Sequence, residues 1–381
     1  MLRTDDRLLA LDGLRAVAIL LVVVAHTIAH WVPGGLGVTL FFFISGFIIT
    51  RGLLGEELDR ASIGRFYVRR VFRLAPALFV FIVVALLAMA AVGYPIPMAD
   101  IKATLLYYAN YHSFAVIDGR VRSPLGISWS LAVEEHFYLL FPLLMLALRG
   151  RIQRLETVLA ATLVLVLAWR LVLVGTVPDE RIYLGTDTRI DSLAYGCLLS
   201  VLFVRAKAQG HAARLLTLLS SAGALWAGLF LLLFTVAYRD SQFRESFRYS
   251  LQGLAFVPLF CNLFWAKKDG LVRRVLELRP MVYIGAISYS LYLYHFLGAS
   301  LAIAVVSDAN PLARALLALS IGVVGTLFSY YVVERPMRRV GYRLTQGAPS
   351  QPAHVAVETT DETGTSGTTG VRFVDQGRSS T

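Results

Sequence analysis

The chain has 381 residues, of which 57% are hydrophobic and only 16% charged, with a formal net charge of +11. A soluble domain carries nearer 45–50% apolar and about 25% charged residues, so an ordinary soluble globular protein is excluded. The basic excess does not read as a nucleic-acid surface, because it falls in short clusters between long apolar runs, the pattern of loops held on the cytoplasmic side of a membrane.

A spanning helix needs about 20 mostly apolar residues. About ten stretches qualify, near 9–29, 35–54, 74–93, 126–148, 156–175, 190–205, 214–237, 249–266, 281–306 and 313–333. The expected fold is all-α, a polytopic transmembrane bundle forming one domain over 1–345. Segment 101–117 is amphipathic and Tyr-rich and is expected at an interface. Basic clusters alternate with the spans: Arg65 to Arg73, Arg149 to Arg154, Arg205 to Arg214, Lys267 to Arg279, and Arg335 to Arg343. Placed inside, they put both termini in the cytoplasm, as in a multi-pass protein of the bacterial inner membrane. From Gln346 the chain turns polar and rich in Gly, Ser and Thr, so 346–381 is expected to be a disordered cytoplasmic tail with no further catalytic domain. The first apolar stretch is too long for a signal-peptide core and is expected to be retained.

Within the first span, Arg15 and His26 are separated by eleven residues, close to three helical turns. They share one stripe, roughly 16 Å apart along the axis. Ionisable side chains in a span usually face a polar interior and mark function. A snorkelling arginine, with Asp12 as counter-ion, and an interface histidine are the structural alternatives. The third span opens with FYVRRVFRLAP, where Arg70 and Arg73 share a face and Arg69 lies beside them. Guanidinium groups there suit a phosphate, although such clusters also serve as plain anchors. The fourth opens with ISWSLAVEEHFYLLFP. By this topology Glu134 reaches the depth of His26, where a carboxylate orienting an imidazole would complete a general base. Alternatively, Glu134 and Glu135 are solvated residues of a helix's first turns. Asp187, Arg189 and Asp191 enter the 190–205 span as caps or as the lining of an acceptor cleft. Tyr289, Tyr292 and His295 cluster later, most simply as an aromatic belt. Cys197 and Cys261 build neither a disulfide framework nor a metal site, and no metal ligand set is expected. There is no G-x-S-x-G elbow, H-E-x-x-H or P-loop.

In order along the chain, LDGLRAVAILLVVVAHT, GVTLFFFISGFIIT, FYVRRVFRLAP, SWSLAVEEHFYLLFP, TRIDSLAYG, ISYSLYLYH and VERP resemble the motifs of the acyltransferase 3 family of integral membrane O-acyltransferases, over about residues 7–340. The resemblance implies an enzyme moving an acyl group, often acetyl, from cytoplasmic acyl-coenzyme A (a donor substrate, not a resident cofactor). The acceptor would be a hydroxyl of a glycan, lipid-linked carbohydrate or natural product. It implies His26 as the catalytic histidine, with Arg15 implicated in donor handling; Glu134 and Arg15 are counted with His26 as the catalytic candidates. Arg70 and Arg73, with Arg69, would handle the donor. Trp129, Ser130 and Tyr138, with Asp187, Arg189 and Asp191, would surround the acceptor. The competing reading is a proton-coupled transporter, against which no pair of interrupted spans in matching halves is visible.

Overall fold

The computed structural model describes residues 4–114, 116–117, 121–149, 151–207, 210–266, 270–306, 310–345, 354–360 and 366–372. Its helices are α1 (Thr4–Thr27), α2 (Gly34–Leu54), α3 (Arg60–Ala91), α4 (Met98–Leu105), α5 (Ser128–Ala147), α6 (Ile152–Leu173), α7 (Asp179–Leu184), α8 (Thr186–Arg205) and α9 (Gly210–Leu219). They continue as α10 (Ala222–Ala237), α11 (Ser241–Ser246), α12 (Arg248–Phe264), α13 (Leu271–Leu276), α14 (Arg279–Ala286), α15 (Ser288–Val305), α16 (Pro311–Phe328) and α17 (Arg335–Thr345). A short hairpin, β1 (Val116–Ile117) and β2 (Val121–Arg122), precedes α5. Each of the ten expected spans is helical at its expected place. Among the described residues, seven helices are long and apolar enough to cross a membrane, or eight if α9 and α10, bent by 61°, count as one span. Of the remaining two, α12 is short, with 17 residues, and α8 is long enough but carries Asp187, Arg189, Asp191 and Arg205. Lys267 and Lys268, expected in a basic loop, lie outside the described residues.

The sequence explains why these helices bury so much of one another yet leave large apolar surfaces open. Leu87, Val164, Leu165, Phe230 and Val324 are exposed on the bundle's outside, an apolar belt that only a lipid solvent would tolerate. Inside, small residues let backbones meet. A Cβ placed on Gly46 of α2 would lie 2.0 Å from the Leu193 carbonyl oxygen of α8, and one on Gly196 of α8 would lie 2.0 Å from that of Phe43. Both contacts are with backbone, which cannot swing aside. Gly196→Ala is therefore expected to push α2 from α8 and destabilise the protein by about 1–3 kcal/mol, read as a lower unfolding temperature of the detergent-solubilised protein.

α3 begins at a capping box. The Asp59 side chain accepts from the Ser62 backbone N–H at 2.6 Å, and the Ser62 hydroxyl accepts from the Asp59 N–H at 3.1 Å. These hydrogen bonds hold the Asp59 carboxyl below its ordinary range. At the other end of the bundle's sequence, α16 runs through a π-helical turn, Ser329–Glu334, into α17. α17 packs against α3, so this turn delivers Glu334 and Arg338 to the neighbourhood of Arg73. The tail expected to lack regular structure carries one hairpin, β3 (His354–Thr360) paired antiparallel with β4 (Ser366–Arg372). Its Val- and Thr-rich stretches have strand propensity that the polar composition of the whole tail obscures.

Candidate active site

Five helices put charged and hydroxyl groups into one cavity inside the bundle. α1 contributes Arg15, α3 contributes Arg70 and Arg73, α5 contributes Ser130, Glu134 and Tyr138, and α15 contributes Tyr289 and Tyr292; Ser45 of α2 completes it. The cavity is narrow, with a volume of about 60 Å³.

Its cations are poorly compensated. The Nε atoms of Arg70 and Arg73 are buried without a hydrogen-bond partner. Arg73 faces the like charges of Arg15, Arg70 and Arg338, offset by Glu334. Arg70 stacks on Tyr138, its Cζ 3.3 Å from the ring centre, and Arg15 keeps only a loose pairing with Asp12 at 3.7 Å. The carboxylate in the cavity is committed elsewhere. Tyr138 donates to Ser45 Oγ at 3.1 Å, and Ser45 donates to Glu134 Oε1 at 2.6 Å. Glu334 accepts from Ser290 at 2.7 Å and lies 3.8 Å from Arg338. Glu135 lies within electrostatic reach of Arg70, and Asp12 and Glu334 within reach of Arg73, but among the described residues neither arginine closes a salt bridge, so the converging guanidinium groups keep donors for an anion with several oxygens.

A second group of side chains continues from the cavity toward His26. The Tyr292 hydroxyl donates to the Ile127 carbonyl at 3.0 Å and accepts from Ser130 at 2.7 Å. The Tyr292 and His295 rings lie 5.6 Å apart. His295, 1% exposed, has its Nδ1 3.1 Å from the Leu291 carbonyl and its Nε2 3.2 Å from His26 Nδ1. A carbonyl oxygen only accepts, so His295 Nδ1 carries a proton. Its Nε2 in the neutral ring is then an acceptor, and His26 must donate from Nδ1. This leaves His26 Nε2 with its lone pair free on an exposed ring, the state a general base requires. The Phe296 ring meets the His26 ring edge-on at 5.1 Å and closes its flank.

The cavity thus brings together Arg15, Arg70, Arg73, Ser130, Glu134 and Tyr138 from the expected set. The geometry places six of the expected residues differently. Glu134 binds Ser45 rather than His26; the histidine's partner is His295. The expected depth of Glu134 follows from span counting, but its side chain points along α5 into the arginine cavity. Arg69 turns away from Arg70 and Arg73: its Nε donates to Thr345 Oγ1 at 2.9 Å, it lies 3.6 Å from Glu56, and it sits over Tyr342. It ties α3 to α17. Arg189 is fully buried, 4.0 Å from the Tyr249 ring centre, and donates to the Tyr183 carbonyl and Thr39 hydroxyl. Asp191 is fully buried against Arg170 at 2.7 Å. Neither lines the cavity. Asp187 stays near the surface, held by Arg181 at 2.7 Å and Trp169 at 2.8 Å. Trp129 packs edge-on against Phe42 and beside Tyr183, forming a wall rather than a polar contact. Arg170 also donates to the Thr188 and Ser246 carbonyls and to Ser250. Asp191→Ala would strand that buried cation and is expected to cost about 3–5 kcal/mol, measurable by thermal unfolding.

Sequence reasoning left four contributors unassigned to the site. His295 and Tyr292 sit three residues apart on one face of α15, a spacing that could have separated them from an aromatic belt. Glu334 lies in the VERP motif, one of very few carboxylates in the C-terminal spans. Arg338 carries no sequence signal apart from the basic cluster around it.

A multi-pass helical membrane protein with a charged cavity inside its bundle is the class that this fold and site define. The chain belongs to the acyltransferase 3 family: residues 8–334 match the family described as an acyltransferase domain. Among its curated relatives are the O-acetyltransferase OatA of Staphylococcus aureus strain MRSA252, 29% identical over 372 residues, and that of strain NCTC 8325, also 29% identical over 372. A putative O-acetyltransferase of strain COL is 29% identical over 356 residues. The OatA matches cover 91% of this chain but 60% of the relatives, and the third covers 89% and 59%. The chain therefore spans less than two thirds of the length of these relatives. No solved structure matches.

Proposed function

We propose that the protein moves an acyl group, most simply acetyl, from acyl-coenzyme A to a hydroxyl of a glycan or other polyol. Coenzyme A phosphates bind Arg70 and Arg73, with Arg15 behind them on the cytoplasmic side of an inner membrane. The pantetheine arm runs through the cavity past Tyr289, Ser45 and Ser130. His26 Nε2 takes the proton of the acceptor hydroxyl as its oxygen attacks the thioester carbonyl. The C–O bond forms, the C–S bond breaks, and the coenzyme A thiolate leaves, recovering a proton from the imidazolium. His295 keeps the proton on His26 Nδ1 throughout; it positions the base and does not touch the substrate.

The observation that carries this reading is the continuity of the site: one cavity holds the uncompensated arginines and Tyr292, whose ring abuts the His295–His26 pair. A long donor with phosphates at one end and a thioester at the other matches that layout. The O-acetyltransferase names of the relatives support the acetyl group. The test is release of free thiol from acetyl-coenzyme A by purified full-length protein in detergent, with and without polyol acceptors. Acceptor-stimulated release is expected; its absence across donors and acceptors contradicts the reading.

A further inference from the structure

A second cleft, sharing no lining residue with the arginine cavity, opens at the His26 end of α1. It is framed by the α1–α2 turn, α7, and α10 to α12, and has a volume of about 450 Å³. His30, in the turn that follows α1 and with its Nδ1 3.0 Å from the Ala25 carbonyl oxygen, lines it, and Trp31 stands at its rim with 76% of its surface exposed.

The floor of this cleft is polar and buried. Thr235, Glu245, Tyr249 and Gln252 line it, and each is no more than 5% exposed. Most of their bonding capacity is fixed. Arg248 donates to Glu245 Oε1 at 3.2 Å and to the Tyr249 hydroxyl at 2.7 Å, while that hydroxyl donates to Glu245 Oε2 at 2.7 Å. Gln252 Nε2 reaches Thr235 Oγ1 at 3.4 Å. One atom is left over: Gln252 Oε1 is buried with no hydrogen-bond partner. A buried acceptor without a donor costs about 1–3 kcal/mol, so a ligand hydroxyl that donates to it recovers what the fold leaves unmade.

The charges decide what kind of ligand fits. Three carboxylates (Asp179, Glu180, Glu245) face three guanidinium groups (Arg239, Arg244, Arg248) around the cleft, so its net charge is close to zero. A phosphate or polyanion would meet carboxylates on the same walls, and an acyl chain would leave the polar floor unpaired. A neutral molecule bearing many hydroxyls, each both donor and acceptor, satisfies both kinds of group at once. The exposed indole of Trp31 and the Tyr183 ring offer flat apolar faces for the C–H faces of such a ring.

We infer that this cleft binds neutral carbohydrate, holding one part of a glycan chain while another part reaches His26. The inference rests on the acyl-transfer reading for the purpose of the bound sugar, but not for its binding. The test is to apply detergent-solubilised full-length protein, without acyl-coenzyme A, to an array of neutral, acidic and phosphorylated oligosaccharides, alongside Gln252→Leu and Trp31→Ala variants. Leu removes the unpartnered oxygen at similar volume, and Trp31 is on the surface, so unfolding temperatures report whether each variant is intact. Wild-type protein is expected to retain neutral oligosaccharides, and each variant to bind them at least about tenfold more weakly. Retention of no carbohydrate, retention of acidic or phosphorylated ones only, or undiminished binding by both folded variants overturns the inference. Sugar binding without any thiol release from acetyl-coenzyme A would instead overturn the proposed reaction and leave the cleft's assignment standing.

Discussion

His26→Ala is expected to fold, insert and bind the donor, yet to lose acyl transfer by about 10²–10⁴-fold, the usual contribution of a positioned general base. That corresponds to about 3–5 kcal/mol of activation free energy. The expectation follows from the geometry. The exposed imidazole makes its one side-chain hydrogen bond through Nδ1, to His295, which leaves Nε2 for chemistry. His295 acts one step back. His295→Gln can donate to Leu291 only if its amide is placed like the ring, and it retains an oxygen that can accept from His26. It should keep more activity than His295→Ala, which lets the His26 ring rotate and take either tautomer. An imidazole whose side-chain hydrogen-bond partner is another ring held by a carbonyl gains no ionic help from that partner. The pair therefore fixes orientation and tautomer rather than raising basicity by charge. Assays of initial rate at saturating donor, with circular dichroism and detergent-gel-filtration profiles as controls, check this. Equal rates for wild type and His26→Ala would remove His26 from the chemistry.

Replacing Arg70 and Arg73 by glutamine is expected to raise the donor's KM while leaving the folded protein as stable as before, or more so. Each charge-assisted hydrogen bond to a phosphate is worth about 1.5–3 kcal/mol, so each change should weaken donor binding by roughly 10- to 100-fold. The stability half of the prediction comes from the unliganded site. Neither guanidinium has an ion-pair partner among the described residues, both leave a buried Nε unpaired, and Arg73 lies among other arginines. Removing either charge breaks no close salt bridge, and at Arg73 it also removes repulsion from Arg15, Arg70 and Arg338, the opposite of what Asp191→Ala does to Arg170. An anchoring role predicts the reverse pattern: unchanged KM and a less stable protein. Functional sites commonly hold strain of this kind at the expense of stability.

The sequence carried the fold well because lipid imposes a simple rule: a span must be a helix of a certain length. Ten apolar stretches become helices, and even the weakest, 190–205, is the core helix α8. What hydropathy could not reveal is that α8 is lined with buried polar residues paired to its neighbours, or that α14 and α15 are separate helices. The site was partly legible. Arg15, Arg70 and Arg73 stand out because charges in spans are rare, and they do converge. The helical period places Arg15 and His26 on one stripe but says nothing of which helix that stripe meets. His295 arrives from a helix 269 positions away in the chain, and Glu134 lies across the bundle on Ser45. Depth along the membrane can be counted from sequence; the direction a side chain faces around the helix axis depends on neighbours that only the packing selects. The same blindness explains Arg189 and Asp191, which look like a charged entrance in sequence and are buried bracing in the fold.

The central claim is that the arginine cavity holds the donor and His26 uses it. The most direct measurement is a calorimetric titration of coenzyme A into detergent-solubilised wild type, His26→Ala and the Arg70→Gln/Arg73→Gln double variant. Wild type and His26→Ala are expected to bind alike, while the double variant binds at least about 100-fold more weakly. Equal affinity of all three proteins for coenzyme A would contradict the claim.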